Sequence, residues 1–148
     1  MRPVLYLIIH CAATREGIPY TVADVDRWHR QRGWSGVGYH YVIELDGKVR
    51  PGRPESEAGA HCKGYNHRSI GICYIGGLSA TGQPKDTRTP AQQEALTRLV
   101  KELLNQYPHA LVAGHNQFAP KACPSFSVPQ WAAEVGIPPQ RIWTGVLH

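Results

Sequence analysis

The chain has 148 residues, of which 42% are apolar and 18% are charged. This length fits one domain, and the ordinary apolar content argues against a disordered chain. The best apolar run, residues 4–9, is far shorter than the roughly 20 residues of a membrane-spanning helix, and no signal-peptide cleavage pattern follows it. We therefore expect no export signal and no membrane insertion.

The balance of 16 Lys and Arg against 11 Asp and Glu gives a formal charge of +5. A basic surface favours approach to polyanions, including the acidic polymers of a bacterial envelope. The positive residues are scattered and form no block of five, so the pattern is not typical of a nucleic-acid-binding arm. We expect no nucleic-acid partner.

The four cysteines, at positions 11, 62, 73 and 123, form no CxxC pair. In a chain without an export signal, cysteines are more often buried apolar groups, ligands or nucleophiles than disulfides. Cys73 lies in an apolar run and is expected to pack in the core.

In the first half of the chain, residues 4–9 read as a buried strand because they are rich in β-branched and aromatic side chains. Thr21 is a suitable N-cap for a helix over residues 22–32. Residues 38–45 alternate as a strand and end at Asp46-Gly47, a strong hairpin signal, with a return strand at 48–50.

In the second half, residues 69–75 predict another buried strand, followed by a loop over 76–88. Thr89-Pro90 with Gln92 forms a capping box that opens an amphipathic helix, which Pro108 ends. A short strand at 110–113 and a short helix near Pro129 follow. We expect one domain over 1–148, with its core at 4–131 and a Pro-rich tail at 136–148. The expected fold is α/β (α+β mixed), with a central mixed β-sheet flanked by helices.

Two histidines and a cysteine stand where strands end or in adjoining loops: His10, His115 and Cys123. Zinc binds imidazole and thiolate groups, and three protein ligands leave a fourth position for water, as in catalytic sites. The spacing alone is weak evidence, because a histidine at a strand end is more often a polar cap.

Tyr39 and Lys121 are candidates for stabilising an oxyanion. Tyr39 enters the hairpin strand and could instead be a core aromatic, and Lys121 could simply be solvated. Strand alternation predicts that His40 points to the face opposite Tyr39.

These residues lie in four sequence blocks: IIHCAAT at 8–14, VGYHYVIELDGKVRPGR at 37–53, GAHCKGYNHRSIGICYIGG at 59–77 and GHNQFAPKACPSF at 114–126. In this order the blocks resemble the zinc-dependent N-acetylmuramoyl-L-alanine amidases of the phage lysozyme type, which are related to the peptidoglycan recognition proteins. The resemblance covers roughly residues 4–131, and several long blocks are a much more specific signal than a single motif.

The resemblance implies hydrolysis of the amide between N-acetylmuramic acid and L-alanine of bacterial peptidoglycan, with Zn²⁺ as cofactor. It implies that His10, His115 and Cys123 bind the zinc. It also implies catalytic roles for Tyr39 and Lys121, either of which could relay the proton to the leaving nitrogen. His61 and Asn66 match positions that line the substrate groove, whereas His40 and Cys73 are expected to pack.

Two rival hypotheses remain from the sequence. In one, the chain is a cysteine peptidase with Cys123 as nucleophile and His115 as base. In the other, it is a peptidoglycan-binding module without catalytic activity, although such relatives typically lack the cysteine ligand.

The resemblance also carries expectations about partners and location. We expect a monomer that does not bind a polymerase, an activity of one relative with a longer N-terminal segment. We expect the enzyme to stay in the cytoplasm of the infected bacterial cell and to act on the wall, as a phage endolysin, after the membrane is permeabilised.

Overall fold

Parallel pairing dominates the central sheet of the computed structural model, which describes residues 2–148. The strand order is β4-β3-β5-β1-β7, and only the β3–β4 pair is antiparallel. The strands of this sheet are β1 (Tyr6–Cys11), β3 (Tyr41–Ile43), β4 (Val49–Pro51), β5 (Ser69–Tyr74) and β7 (Leu111–Gly114). A separate parallel pair joins β2 (Thr14–Arg15) to β6 (Gly77–Leu78). The expected mixed sheet flanked by helices is confirmed.

Three α-helices flank the sheet, and side-chain caps begin each of them. The helices are α1 (Val22–Gln31), α2 (Pro90–Gln106) and α3 (Val128–Glu134). Thr21 and Thr89 form capping boxes with Asp24 and Gln92, and Ser127 caps α3. Each cap satisfies a backbone N–H that has no partner within the helix. In the described chain, residues 2–148, no helix is long and apolar enough to cross a membrane.

Different elements pack on the two faces of the sheet, and the candidate site lies on only one of them. On one face, Leu7 and Ile9 of β1 pack with Leu96 of α2 and Trp131 of α3 in the main core. Successive strand residues point to opposite faces, so Ile8 and His10 lie on the other face. There, α1 and the segment between β4 and β5 provide the cover.

The observed strands differ from the predicted ones mainly at their ends. β1 runs to Cys11, so His10 lies inside the strand. β3 begins only at Tyr41, because the carbonyls of Gly38 and Tyr39 accept the N–H groups of Ala60 and Arg53, outside any regular ladder. The N–H of His40 still donates to the Gly71 carbonyl of β5.

Alternation therefore does not govern Tyr39. The prediction that Tyr39 and His40 face apart is wrong, because Tyr39 packs in one cluster with Val42, which alternation places on the face of His40. The ring centroids of Tyr39 and His40 lie 6.4 and 5.9 Å from that of His61.

The C-terminal segment, which shows little sequence pattern, packs against the domain. Ile142 forms an isolated parallel bridge with Val112 of β7. Trp143 stacks on Phe118 with ring centroids 4.7 Å apart. Arg141 donates hydrogen bonds to the carbonyl oxygens of Leu104, Tyr107 and Ala110, which include the end of α2.

Candidate active site

His10 and His115 meet because β1 and β7 are parallel neighbours. Parallel strands run to the same edge of a sheet, and Ile9 of β1 pairs with Gly114 of β7. His10 follows Ile9, and His115 follows Gly114 at the start of a 3-10 turn, His115–Gln117. Their ring centroids are 4.5 Å apart.

Cys123 reaches the same point from a loop that is anchored to the sheet. The Tyr74 hydroxyl donates to the Pro124 carbonyl (2.6 Å), and the Ser125 hydroxyl donates to the Gly77 carbonyl (2.9 Å). The backbone N–H of Cys11 donates to the Cys123 sulfur at 3.2 Å, a contact that stabilises a thiolate. The Cys123 Sγ lies 3.8 Å from Nδ1 of His10.

The geometry of the three donors suits a tetrahedral metal ion. One nitrogen or sulfur atom from each of His10, His115 and Cys123 lies within 4.8 Å of the other two. Zinc–nitrogen and zinc–sulfur bonds of about 2.0 and 2.3 Å at a tetrahedral angle place nitrogen and sulfur about 3.5 Å apart. The observed 3.8 Å between His10 Nδ1 and Cys123 Sγ agrees with this value. The residues present therefore fit a metal site.

Burial favours the neutral form of the imidazoles. It lowers the pKa of His10 well below its usual value, with further contributions from His61 and His115, and lowers the pKa of His115 to about 4. A neutral imidazole is the form that binds a metal. The neighbouring Cys11 thiol and burial raise the pKa of Cys123, so a metal must displace the thiol proton on binding.

A cleft of about 400 Å³ opens above the three donors. Tyr39, His61 and Lys121 line it, so the structure brings these predicted residues to the candidate metal site. Its cationic lining residues are Arg32, Lys63 and Lys121, and no carboxylate lines it among the described residues. Such a cleft is electrostatically suited to an anionic ligand.

Tyr39 lies beside the candidate metal site with its ring centroid 5.1 Å from that of His10. It also packs against the imidazole of His29, with centroids 5.4 Å apart. Burial raises the pKa of Tyr39 well above its usual value. The phenol is therefore neutral near pH 7 and can donate a hydrogen bond.

The two predicted groove residues have different surroundings. His61 lines the cleft, but its Nδ1 lies 2.9 Å from Nε2 of His10. Asn66 is not part of the cleft lining, and its Oδ1 accepts hydrogen bonds from the backbone N–H groups of His61 and Cys62. Substrate contacts by these two residues stay a prediction.

His40 is buried, as expected for a packing residue. Its Nδ1 accepts the backbone N–H of Gly71 (3.0 Å), and its Nε2 lies 2.7 Å from the Glu57 carbonyl.

The sequence analysis did not identify Gln117, which supports the turn that carries His115. Buried Gln117 accepts the N–H of Gly114 through Oε1 and donates through Nε2 to the carbonyls of Trp143 and Gly145. It thereby ties the turn that carries His115 to the C-terminal segment. Gly114 has no side chain, so the sequence contains no capping-box pattern that marks Gln117, and no local pattern reveals its partners.

Comparison with known proteins agrees with this geometry. The family model described as N-acetylmuramoyl-L-alanine amidase matches residues 1–126. The chain belongs to the N-acetylmuramoyl-L-alanine amidase family. The predicted enzyme class and the resemblance to phage lysozyme-type amidases and peptidoglycan recognition proteins are thereby confirmed.

Three relatives illustrate the match. An endolysin of Klebsiella phage KP32 is 44% identical over 125 residues, 84% of this chain and 83% of that protein. The amidase LysC from Clostridium intestinale superposes with a TM-score of 0.79 at 29% identity, over 93% of this chain and 88% of that one. A complex of the peptidoglycan recognition proteins LCa and LCx with tracheal cytotoxin matches with a TM-score of 0.70 at 30% identity, over 84% of this chain and 77% of that one.

Proposed function

We propose that this amidase cleaves the bond between the lactyl group of N-acetylmuramic acid and L-alanine with a zinc ion held by His10, His115 and Cys123. The observation that carries the proposal is the convergence of these donors within 4.8 Å at the base of the cleft. Two imidazoles and one thiolate form a typical zinc donor set, and three protein ligands leave one position open.

When bound, zinc supplies a Lewis acid that polarises the scissile carbonyl and lowers the pKa of a coordinated water toward 7. The chain supplies the remaining groups. Tyr39 is neutral near pH 7 and donates a hydrogen bond toward the oxyanion that forms at the carbonyl. Lys121, on the ligand loop, places a positive charge at the same cleft.

The leaving alanine nitrogen must gain a proton before the bond breaks completely. We propose that Tyr39 or Lys121, both of which line the cleft, relays this proton. Replacing Tyr39 by Phe, or Lys121 by Met, is expected to lower kcat by about 10²–10³, the usual loss for one oxyanion donor, while KM changes little.

Cell-wall stem peptides carry free carboxylates, and the cationic cleft suits them. Arg32 and Lys63 flank the donors, and Trp34 provides an exposed aromatic surface beside them. The neighbouring recognition proteins bind tracheal cytotoxin, a peptidoglycan fragment. We propose that the wall polymer lies along this cleft, held by one monomeric amidase domain.

The proposal extends to lysis of an infected bacterium. We propose that the enzyme stays in the cytoplasm of the infected cell until the membrane opens. Expression in a bacterium with an intact membrane is therefore expected to leave the cells whole, and a membrane-permeabilising agent is expected to lyse them. Lysis without the agent would contradict this location.

The test combines elemental analysis of the purified chain with mass spectrometry of digested wall. We expect one zinc per chain, and products with a free lactyl carboxyl and a free L-alanine amino group. A strong chelator should abolish cleavage and Zn²⁺ should restore it.

Each rival hypothesis has its own signature in this experiment. Cleavage that survives complete metal removal and stops on thiol alkylation would favour a cysteine peptidase. Wall binding without any new amino terminus would favour a binding module.

A further inference from the structure

His61 makes a hydrogen bond with each of its ring nitrogens, and both lead into the protein. Its Nδ1 lies 2.9 Å from Nε2 of His10. Its Nε2 lies 3.3 Å from the Ser69 hydroxyl, which donates at 2.8 Å to the carbonyl of Tyr65. Ser69 is fully buried. These contacts form a chain of four groups, defined here as the Tyr65–His10 chain.

The last group of the chain fixes the direction of every proton in it. A carbonyl oxygen only accepts, so Ser69 donates its proton to Tyr65 and accepts one from Nε2 of His61. The neutral imidazole of His61 then has a free lone pair on Nδ1, which accepts the proton on Nε2 of His10. The remaining nitrogen of His10, Nδ1, is left unprotonated, and it is the nitrogen that lies near Cys123.

The His61 ring is also held sterically, in a slot between two glycines. A Cβ atom added at Gly71, within β5, would lie 2.6 Å from the ring, and one at Gly59 would lie equally close. The backbone on either side of the ring is fixed as well, since Asn66 binds the N–H groups of His61 and Cys62. The ring therefore has little freedom to turn toward a ligand in the cleft.

We propose that His61 is a positioning residue for His10, which it holds in the tautomer and orientation that present Nδ1 to the metal. This inference rests on the proposed zinc site and assigns His61 a role behind a ligand instead of a substrate contact. Groups that orient metal-binding histidines in this way commonly contribute 10–100-fold to metal affinity.

The first test measures zinc affinity by chelator competition on metal-free protein. We expect His61→Ala to weaken zinc binding by about 10–100-fold and added imidazole, which fits the vacated slot, to recover part of the loss. Ser69→Ala removes only the anchor of the chain and should weaken binding in the same direction by less. His67→Ala is the matched control, because His67 is an exposed histidine of the same segment and should leave zinc affinity unchanged.

A second readout needs no metal. Nitrogen-15 NMR of the His10 ring in metal-free wild-type protein should show a proton on Nε2 and none on Nδ1, and His61→Ala should produce a mixture of tautomers. Thermal unfolding of each metal-free variant verifies that it is folded. If His61→Ala does not fold, the zinc affinity and the His10 spectrum of Ser69→Ala test the proposal instead.

Unchanged zinc affinity and an unchanged His10 spectrum in folded His61→Ala would overturn the proposal. If wall cleavage alone declined in that variant, His61 would be a substrate contact. A wild-type chain that binds no zinc would refute the proposed function, whereas the tautomer measurement would still report on the Tyr65–His10 chain.

Discussion

Gln117 connects the turn that carries His115 to the C-terminal segment, and replacing it by Ala tests that connection. The change removes three hydrogen bonds: Oε1 with the N–H of Gly114 (2.8 Å), and Nε2 with the carbonyls of Trp143 (2.9 Å) and Gly145 (3.1 Å). Gly114 is buried, so its N–H is left without a partner. The two carbonyls belong to partly exposed residues that water can reach.

The expected loss of stability follows from these three contacts. An unsatisfied buried N–H costs about 1–3 kcal/mol, and each bond lost to a carbonyl that water can reach costs about 0.5–1 kcal/mol. The free energy of unfolding should therefore fall by about 2–5 kcal/mol. With an unfolding entropy of about 2.1 cal/mol/K per residue, a chain of 148 residues should lose about 6–16 °C in Tm.

Urea unfolding of metal-free protein measures this loss without a contribution from metal binding. Gln117→Glu keeps an acceptor for Gly114 but turns a carboxylate toward two carbonyls, so it should destabilise the fold at least as much as Gln117→Ala. Gln140→Ala is the control, since Gln140 is exposed in the same C-terminal segment and should change stability by less than about 0.5 kcal/mol. If Gln117→Ala behaved like this control, the C-terminal segment would not hold the His115 turn.

Three further predictions concern the metal, α2 and pH. Chelation should lower Tm, and added Zn²⁺ should restore it in the wild type but not in Cys123→Ser. The reason is that a ligand that binds only the folded state stabilises it by about 4 kcal/mol when the free ligand concentration is a thousand times Kd. Equal restoration in the variant would exclude Cys123 as a ligand. Gln92→Leu should lower the free energy of unfolding by about 2–3 kcal/mol in urea, since the Ile75 carbonyl loses its bond to Gln92 Nε2 and the Thr89 N–H loses its bond to Gln92 Oε1. The Ile43 carbonyl keeps the N–H of Ile75. An unchanged midpoint would contradict this prediction. Burial lowers the pKa of His29 to about 4, and its Nδ1 accepts the N–H of Gly38, so protonation should remove up to about 3 kcal/mol of stability as pH falls from 6.5 to about 4. His29→Asn should reduce this pH dependence, and identical pH profiles would refute the assignment.

Local sequence signals predicted α2 accurately because its ends are determined by neighbours in the chain. Thr89 and Gln92 form the expected capping box, Pro90 is the first helical residue, and the helix ends two residues before Pro108. Such interactions span only a few residues, so periodicity and capping chemistry contain the necessary information.

The position of Tyr39 was less predictable because distant segments determine it. The carbonyl of Tyr39 accepts the N–H of Arg53, and that of Gly38 accepts the N–H of Ala60. These bonds take the chain out of the regular ladder just before β3. A rule based on alternation within one strand therefore fails at Tyr39.

The meeting of His10, His115 and Cys123 depends on strand order, which spacing along the chain does not encode. His10 and His115 are neighbours only because β7 pairs with β1, more than 100 residues apart in sequence. The family resemblance supplied this information, whereas composition and periodicity did not. The same limit applies to Arg141, whose partners are three backbone carbonyls that carry no side-chain signature.

The surroundings of the donors have a consequence for their charge. Many metal-binding histidines donate to a carboxylate, which adds negative charge behind the metal. Here the group behind His10 is the neutral imidazole of His61, and the Cys123 thiolate contributes the single negative charge of the donor set. A divalent cation in this site retains a net positive charge, with Lys121 beside it. This charge favours the developing oxyanion of amide hydrolysis, so a carboxylate placed behind His10, as in His61→Asp, should slow cleavage even where zinc stays bound.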